Sequence, residues 1–331
     1  MISGFFRFMI IFSSSRSPQA VLKKQLFYLK RGVIDPSLHY HSLKQSKAWE
    51  KVFQRHCPVL SEPSFSQIYR TLFSRFTIPS GQRTHLIGLG CGTGVKEQWL
   101  AQCVKRGGFS FQRFTAVDVS ERLCQLSLKR LRPFVLQKPK GWVIDLDAAK
   151  ELRCSLDQGD RTERRIYTLF GLVPNLDPSL VLRILKTLLR SGDQLFMSAN
   201  LAPVKNKEES EVERAVKRIL PQYQNRETRE WLSLLFEEQK ITKKMISALR
   251  FGIESEQGLR SVIVRGEVLQ DFEWILGGRR VRMKKRDSLK VFQSRRWTSF
   301  AFEHWMKRAG FKVRACEITP NGEEGVWWVE R

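Results

Sequence analysis

The chain has 331 residues, 42% of them hydrophobic, and its 22 Phe and 9 Trp are ample for a packed core. This length fits one large domain with an elaboration, or two domains. The six cysteines form no CxxC pair and have no histidine at metal spacing, so we expect no metal site and a reduced, cytoplasmic setting. No apolar run is long enough to span a membrane, and we expect no membrane partner.

The formal net charge of +25 first suggests a nucleic-acid partner. The basic residues, however, are spread over nearly the whole chain. The one dense run, Arg279–Arg286, follows Gly277-Gly278 as the second arm of a solvated hairpin would. Aromatic residues do not interleave with the basic ones, as a stacking platform for bases requires. A nucleic-acid partner therefore stays open but is not favoured.

The N-terminal segment is apolar over Gly4–Phe12, with Arg7 inside the run and a serine-rich stretch after it. A secretory signal would place its positive charge before the apolar stretch and a small-residue cleavage site after it. Neither is clear here. We predict residues 1–36 to be a disordered leader, or sequence upstream of the true start. Residues 37–80 follow as a helical cap, with helices over Ser42–Gln54 and Ser64–Phe76.

Residues 81–202 alternate between short apolar runs and amphipathic segments, which is typical of a mostly parallel sheet covered on both faces. The predicted strands are Leu86–Leu89, Phe111–Val119, Trp142–Leu146, Ile166–Leu169 and Gln194–Ser198, and the helices are Val95–Lys105, Ser120–Leu131 and Pro178–Leu189. The fold class is therefore α/β, with a Rossmann-like core.

The pattern changes over residues 203–290, which we predict to be an inserted α+β lobe. Its helices are Asn206–Ile219 and Arg226–Leu249, and Gly252–Lys290 is strand-like. Residues 291–331 then complete the core sheet. The predicted elements there are a strand ending near Ser294, a helix over Ser299–Ala309, and strands Lys312–Ile318 and Gly325–Val329.

The glycines Gly90, Gly92 and Gly94 end the first strand of the core, and Asp118 ends the second. Glycines let the backbone of a tight turn approach a ligand closely, and an acid at the next strand end can accept hydrogen bonds from ribose hydroxyls. The spacing fits neither a P-loop, which needs Gly-Lys-Ser/Thr, nor the Gly-x-Gly-x-x-Gly of dinucleotide folds. A glycine-rich turn of some other α/β domain is the remaining alternative.

The segment Leu89-Gly-Cys-Gly-Thr-Gly94 resembles motif I of class I S-adenosylmethionine (SAM) methyltransferases. The resemblance implies SAM as the cofactor, with the turn under its methionine half and Asp118 on its ribose. One residue departs from the motif. Gly88 stands where many of these enzymes carry an acid.

Five segments resemble a narrower group, the histidine-specific SAM-dependent methyltransferases of the ergothioneine pathway, which methylate the α-amino group of histidine. The segments are Leu38–Gln45, the glycine turn extended to Lys96, Ala116–Ser120, Ile144–Leu146 and Leu169–Pro178. Between them the likeness is diffuse, over about His39 to Arg331.

This resemblance implies roles for individual residues. Lys96 would contact the cofactor, Asp145 would hold the adenine amino group, and Leu146 would flank the adenine ring. Asp147 competes with Asp145, and either acid could simply cap the following helix. Tyr40 would face the substrate and take its proton through water. Asn175 would orient the amine, so that Tyr40 and Asn175 are the candidate catalytic residues.

The substrate-recognition segment departs from the family. In the histidine enzymes a Glu-x-Ser pair recognises the imidazole, whereas here Phe292 replaces the glutamate and Ser294 remains. A site built for a hydrogen bond discriminates strongly through that bond. The family's Tyr-Tyr-Pro also becomes His56-Cys-Pro. Histidine as the substrate is therefore doubtful, and a more apolar or aromatic amine is the better expectation.

Three functions follow from these patterns. The first is N-methylation of a small amine related to an amino acid. The second is methylation of RNA or protein, for which the charge is the argument. The third is a non-catalytic SAM-binding protein, suggested by Gly88 and the altered substrate segment. The sequence does not indicate the oligomeric state.

Overall fold

The computed structural model describes residues 8–159, 162–204 and 209–331. These residues form thirteen strands, numbered in chain order: β1 (Met9–Phe12), β2 (Thr84–Leu89), β3 (Arg113–Asp118), β4 (Lys140–Val143), β5 (Arg164–Leu169), β6 (Gln194–Asn200), β7 (Arg250–Glu256), β8 (Leu259–Glu267), β9 (Phe272–Leu276), β10 (Arg279–Met283), β11 (Ser288–Arg296), β12 (Lys312–Ile318) and β13 (Glu324–Glu330).

The α-helices of the described residues are α1 (Pro18–Leu29), α2 (Leu43–His56), α3 (Pro58–Ser61), α4 (Pro63–Ser74), α5 (Val95–Arg106), α6 (Glu121–Leu131), α7 (Ala149–Asp157), α8 (Pro178–Leu188), α9 (Glu209–Ile219), α10 (Arg226–Glu238) and α11 (Ser299–Arg308). Helix α9, Glu209–Ile219, corresponds to the helix predicted over Asn206–Ile219. Its predicted first residues lie outside the described ranges.

The central sheet has the strand order β1-β4-β3-β2-β5-β6-β13-β12. Its strands are parallel apart from β13, which runs antiparallel to both β6 and β12. Every residue of β2 is buried, as is typical of a parallel strand covered on both faces. One face packs on α4, α5 and α6 and the other on α7, α8 and α11. The predicted α/β core is confirmed, as are the two strands predicted at its C-terminal end.

The predicted disordered leader is wrong for residues 8–36, whereas residues 1–7 lie outside the described ranges. Met9–Phe12 adds to the sheet edge as β1, parallel to β4. Ile10 of this strand packs against the core, and the Ser13 hydroxyl donates to Glu151 at 2.7 Å. Ser17 caps α1, with Pro18 as its first residue. The described end of the apolar run, Met9–Phe12, is an edge strand.

The predicted inserted lobe contains α9, α10, a three-stranded antiparallel sheet of order β11-β8-β7, and the hairpin β9–β10. Gly277 and Gly278 form the hairpin turn with φ of 52° and 81°, and the basic run forms its second arm, as predicted. The strand predicted to resume the core sheet near Ser294 is β11, and it pairs with β8 instead. Alternation of side chains predicts a strand but not which sheet it joins.

The helix predicted over Arg226–Leu249 is too long, since α10 ends at Glu238. Lys240 follows in the left-handed conformation at φ 58°, which stops a helix. Ile241, Ile246 and Leu249 are then buried in the lobe core without helical structure. The apolar spacing that predicted a longer helix reflects packing of an irregular segment.

Candidate active site

A cavity of ≈ 830 Å³ opens at the carboxyl ends of β2, β3 and β5 and extends to β11 of the lobe. The strand order reverses between β2 and β5, and ligands of open α/β sheets bind at such a switch point. All residues predicted for the site line this one cavity: Tyr40, Gly90, Gly92, Gly94, Lys96, Asp118, Asp145, Leu146, Asn175, Phe292 and Ser294.

The glycine turn forms the floor of one end of the cavity. Gly90, Gly92 and Gly94 have φ of 59°, 52° and 73°, a region that L side chains rarely adopt. A Cβ on Gly94 would lie 2.5 Å from Ser127 Oγ of α6, and one on Gly92 would lie 3.0 Å from the Trp49 ring. The turn is therefore packed against two helices and leaves no room for side chains.

Asp118 lies beside the turn at the end of β3. Its carboxylate accepts hydrogen bonds from the backbone N–H of Gly92 and of Ser120, each at 3.0 Å. Burial raises the pKa of Asp118 to about 6, although these hydrogen bonds act to lower it. The acid thus fixes the turn and, with further lone pairs on both oxygens, can also accept hydroxyl donors.

Lys96 extends from α5 into a buried polar cluster. Its Nζ lies 3.1 Å from Glu324 Oε1, and the Tyr69 hydroxyl donates to the same oxygen. The Tyr69 ring centroid lies 4.6 Å from Nζ, so the ammonium also has an aromatic face beside it. Glu324 lines the cavity together with Lys96. It comes from β13, more than two hundred residues along the chain, and the sequence analysis did not identify it.

The opposite side of the predicted cofactor end is a cluster of three carboxylates around Lys24 of α1. Lys24 Nζ lies 2.9 Å from Asp147 and 3.3 Å from Asp35, and it also donates to Asp145. Burial disfavours the ammonium, but the carboxylates more than offset this and raise the Lys24 pKa above its ordinary value. A residue of the predicted leader therefore closes this end.

The structure does not separate the two candidates for the adenine role, because Asp145 and Asp147 share the same lysine. Asp145 also accepts the backbone N–H of Asp147 at 3.1 Å, so it has the capping role that was its alternative. Leu146, between them, is buried and lines the cavity.

The lobe end of the cavity is aromatic. The Tyr40 ring lies between Trp49 and Trp231, with centroid distances of 5.7 and 5.5 Å. The ring centroid of Phe292 lies 6.0 Å from that of Trp231 and 6.0 Å from that of Tyr223. Removal from solvent raises the pKa of Tyr40 above its ordinary value, and the charge of Asp118 adds to this. The phenol therefore stays protonated and can donate or accept a hydrogen bond.

Polar groups lie at the base of this aromatic wall. The Ser294 hydroxyl lies 3.0 Å from the Tyr223 hydroxyl and accepts from Asn200 at 3.2 Å. Arg296 donates to the Tyr223 hydroxyl at 2.8 Å. Asn175 lies in the loop after β5 and lines the cavity, and within the described ranges its side-chain amide has no protein partner. That amide is thus available to a ligand.

Sequence reasoning missed Lys24, Glu324, Trp231 and Tyr223. None of them belongs to a motif with a recognisable spacing, because each reaches the cavity from a separate element. Trp49 was accessible in principle, since it lies with Phe53 and His56 on one face of the predicted α2. His56 lines the cavity, and its Nε2 lies 2.9 Å from Glu227 Oε2.

Two further findings concern the described part of the chain. It contains no group of three or more His, Cys, Asp or Glu side chains that could hold a metal ion. No helix in the same residues is long and apolar enough to cross a membrane.

The family model described as histidine-specific, SAM-dependent methyltransferase matches residues 67–331. No curated protein matches the sequence. Similar solved structures include the Burkholderia thailandensis 1,6-didemethyltoxoflavin-N1-methyltransferase, with 10% identity over 89% of this chain and 87% of that chain and a TM-score of 0.42. A SAM-dependent methyltransferase from Mesorhizobium loti has 12% identity over 82% and 99%, with a TM-score of 0.38.

Proposed function

The chain belongs to the family of histidine-specific, SAM-dependent methyltransferases, and on that premise we propose that it methylates the amine nitrogen of a small, amino-acid-like substrate with an apolar or aromatic side chain. The observation that carries the proposal is the single cavity that joins the glycine turn to an aromatic wall. It supports a donor at one end and an acceptor at the other.

The residues of the first end fit SAM. The tight turn gives backbone access, the Asp118 carboxylate suits ribose hydroxyls, and the acids around Leu146 suit an adenine amino group beside an apolar contact. Bound SAM supplies an activated methyl group, so the chain mainly has to align the acceptor with it. We assign this alignment to the Asn175 loop and the aromatic wall.

The acceptor amine must be neutral to react, and an ammonium has no free electron pair. The wall of Tyr40, Trp231 and Phe292 supports this, because an apolar surrounding disfavours the ammonium and lowers the amine pKa. Asn175 offers an amide to orient the nitrogen, and the Tyr40 hydroxyl offers a hydrogen-bond partner that relays the proton to water. We propose these two residues as the catalytic pair.

The same wall argues against histidine itself. A carboxylate at position 292 would accept the imidazole N–H, whereas Phe292 packs against Trp231 and Tyr223 and offers no acceptor. Ser294 is engaged by Tyr223 and Asn200. An aromatic or aliphatic side chain instead gains apolar contact on this surface.

The macromolecular alternative has less support. In the basic hairpin Arg280 lies 3.2 Å from Glu273, and Arg282 lies 3.4 Å from Asp271, so acids of the same hairpin partly neutralise the run. The hairpin residues are also absent from the cavity lining.

Incubation with methyl-labelled SAM and a panel of acceptors tests the proposal. The panel contains the aromatic and aliphatic amino acids, their decarboxylated amines, histidine, bulk RNA and a protein extract. We expect label on the nitrogen of an aromatic or aliphatic acceptor, identified by mass spectrometry. Label confined to histidine, RNA or protein would overturn the substrate assignment. SAM binding without any transfer would favour the non-catalytic alternative.

A further inference from the structure

Gly88 of β2 leaves a carboxylate missing at the position before the glycine turn. An ideal Cβ built on Gly88 lies 3.1 Å from Cys91 Cβ, a close contact to which the turn must adjust, and 3.5 Å from both Cγ and Oε1 of Glu97. Glu97 belongs to the first turn of α5, and its side chain reaches back over Gly88 into the space that a longer residue at position 88 would need. Position 88 therefore carries no acid on the strand, and the nearest carboxylate to it there is that of Glu97 on the helix.

Glu97 is only 2% exposed and lines the cavity. Its Oε1 accepts the Thr168 hydroxyl at 2.9 Å. Burial raises the pKa of Glu97 to about 7, although its own backbone N–H, Thr168 and the charge of Lys96 act to lower it. No cation lies within ion-pair distance of this carboxylate in the described residues, since Lys96 pairs with Glu324.

A buried carboxylate without a cationic partner is costly, so such a group either pairs with a cation or raises its pKa and takes up a proton, as Glu97 does in part without such a partner. Because this one borders the cavity under the glycine turn, a cation bound there would supply the missing partner. The methionine portion of SAM carries two cationic groups, its sulfonium and its ammonium.

We propose that Glu97 replaces the acid that Gly88 lacks and supplies the negative charge for the cationic methionine portion of SAM. Glu97 is then a cofactor-positioning residue contributed by α5 instead of β2. The inference rests on the proposed function only in taking SAM as the ligand. It also removes one reason to regard the chain as a degenerate SAM-binding protein, because the acid is relocated and not lost.

Calorimetric titration of Glu97→Gln with SAM and with 5′-methylthioadenosine tests the assignment. The second ligand keeps the adenosine and lacks the charged amino-acid portion. We expect the substitution to weaken SAM at least about tenfold, which corresponds to one ionic contact of about 1.4 kcal/mol. The affinity for methylthioadenosine should stay within about twofold of that of the unchanged protein. Equal weakening of both ligands would mean that Glu97 only supports the turn, and no weakening would mean that it does not face the cofactor.

A positional exchange sharpens the result. Glu97→Ala should weaken the binding of SAM. Adding Gly88→Glu to that variant should restore the affinity toward the original value, because the new carboxylate can occupy the space that the Glu97 side chain has left. A double variant that unfolds at the same temperature as Glu97→Ala but binds SAM no better would overturn the proposal. Should the double variant fail to fold, the comparison of two ligands in Glu97→Gln decides alone.

Glu121→Gln is the matched control, because Glu121 is an exposed acid in the first turn of α6, the helix that follows the next core strand. We expect its SAM affinity to match that of the unchanged protein. Failure of the unchanged protein to bind SAM would contradict the proposed function itself. Binding by the unchanged protein and equally by Glu97→Gln contradicts only this inference.

Discussion

At one end of the cavity the backbone of a single strand–turn–helix unit forms the floor, with side chains of other elements around it, whereas at the other end the wall consists of side chains from five separate elements. Gly90, Gly92 and Gly94 occupy alternate positions of one turn. The aromatic and polar wall instead takes Tyr40 from the segment before α2, Trp49 from α2, Asn175 from the loop after β5, Trp231 from α10, and Phe292 from β11.

Because of this difference, the two ends of the cavity should differ in how well they tolerate amino-acid substitutions. A backbone turn with positive φ accepts few residue types, so the cofactor end resists change. A wall of side chains keeps its shape under many substitutions and can alter its chemistry at one position, as Phe292 illustrates. Substitutions at the first end should therefore abolish cofactor binding, and those at the second should change the acceptor while SAM affinity is kept.

The largest effect is expected at the glycine turn. In Gly94→Ala the left-handed conformation and the overlap with Ser127 act together, and each costs about 1–3 kcal/mol. We expect SAM affinity to fall at least about 100-fold by calorimetry. The matched control is Gly108→Ala, which has φ +83° but open space around its Cβ. If both variants lose SAM equally, conformational strain and not close packing of the turn is responsible.

The substrate end should respond through selectivity. Phe292→Glu places a carboxylate against Trp231 and Tyr223, where it favours an imidazole N–H and disfavours an apolar side chain. We expect kcat/KM for the best apolar acceptor to fall about 10- to 100-fold, with a gain for histidine, while the Kd for SAM stays within about twofold. A parallel loss of SAM affinity would show that the two ends are not separable.

A smaller effect is expected where α1 closes the cofactor end. Lys24→Gln leaves Asp35, Asp145 and Asp147 near one another without the lysine they share, although Arg183 still lies 3.7 Å from Asp147, and we expect this to cost about 2 kcal/mol of stability. The midpoint of thermal unfolding should fall, and amides of α1 should exchange faster with solvent. Lys23→Gln, at an exposed neighbouring lysine, is the control and should change neither. If Lys24→Gln changes neither the unfolding midpoint nor the exchange of α1 amides, the contacts of Lys24 with the three acids do not hold α1 in place.

The smallest effect is expected in the basic hairpin. Lys284 and Lys285 are exposed just after β10 and are not among the residues that line the cavity. The double variant Lys284→Gln/Lys285→Gln should methylate its small acceptor within about twofold of the unchanged rate. A large loss of activity that depends on salt concentration would instead support a nucleic-acid substrate, since phosphate contacts release counterions.

The parts that sequence could predict are those set by local pattern. The core strands and most core helices of residues 81–202 follow from apolar periodicity, which does not predict α7, and the glycine turn with Asp118 follows from spacing. The disordered leader predicted for residues 1–36 fails over residues 8–36 because a four-residue edge strand such as Met9–Phe12 is too short to give a periodicity of its own. Its pairing with β4 depends on a strand more than a hundred residues later.

The rest of the site depends on tertiary contacts that no spacing encodes. The resemblance implies that Lys96 contacts the cofactor. It does not indicate the ion-pair partner of Lys96, because Glu324 lies on β13, the last strand in the chain. The loss of the acid at Gly88 was visible in the sequence, whereas its replacement by Glu97 becomes visible only when α5 is folded back over β2.

Calorimetric titration of the full chain with SAM, beside the variant Asp118→Ala, tests most directly that the glycine turn and the β3 acid form the cofactor site. Asp118 accepts hydrogen bonds from the backbone N–H of Gly92 and of Ser120, so its loss removes these two bonds to the turn as well as the proposed contact with the ribose. We expect each unchanged chain to bind one SAM and the variant to show no measurable binding. Undiminished affinity in Asp118→Ala, or no SAM binding by the unchanged chain, would contradict it.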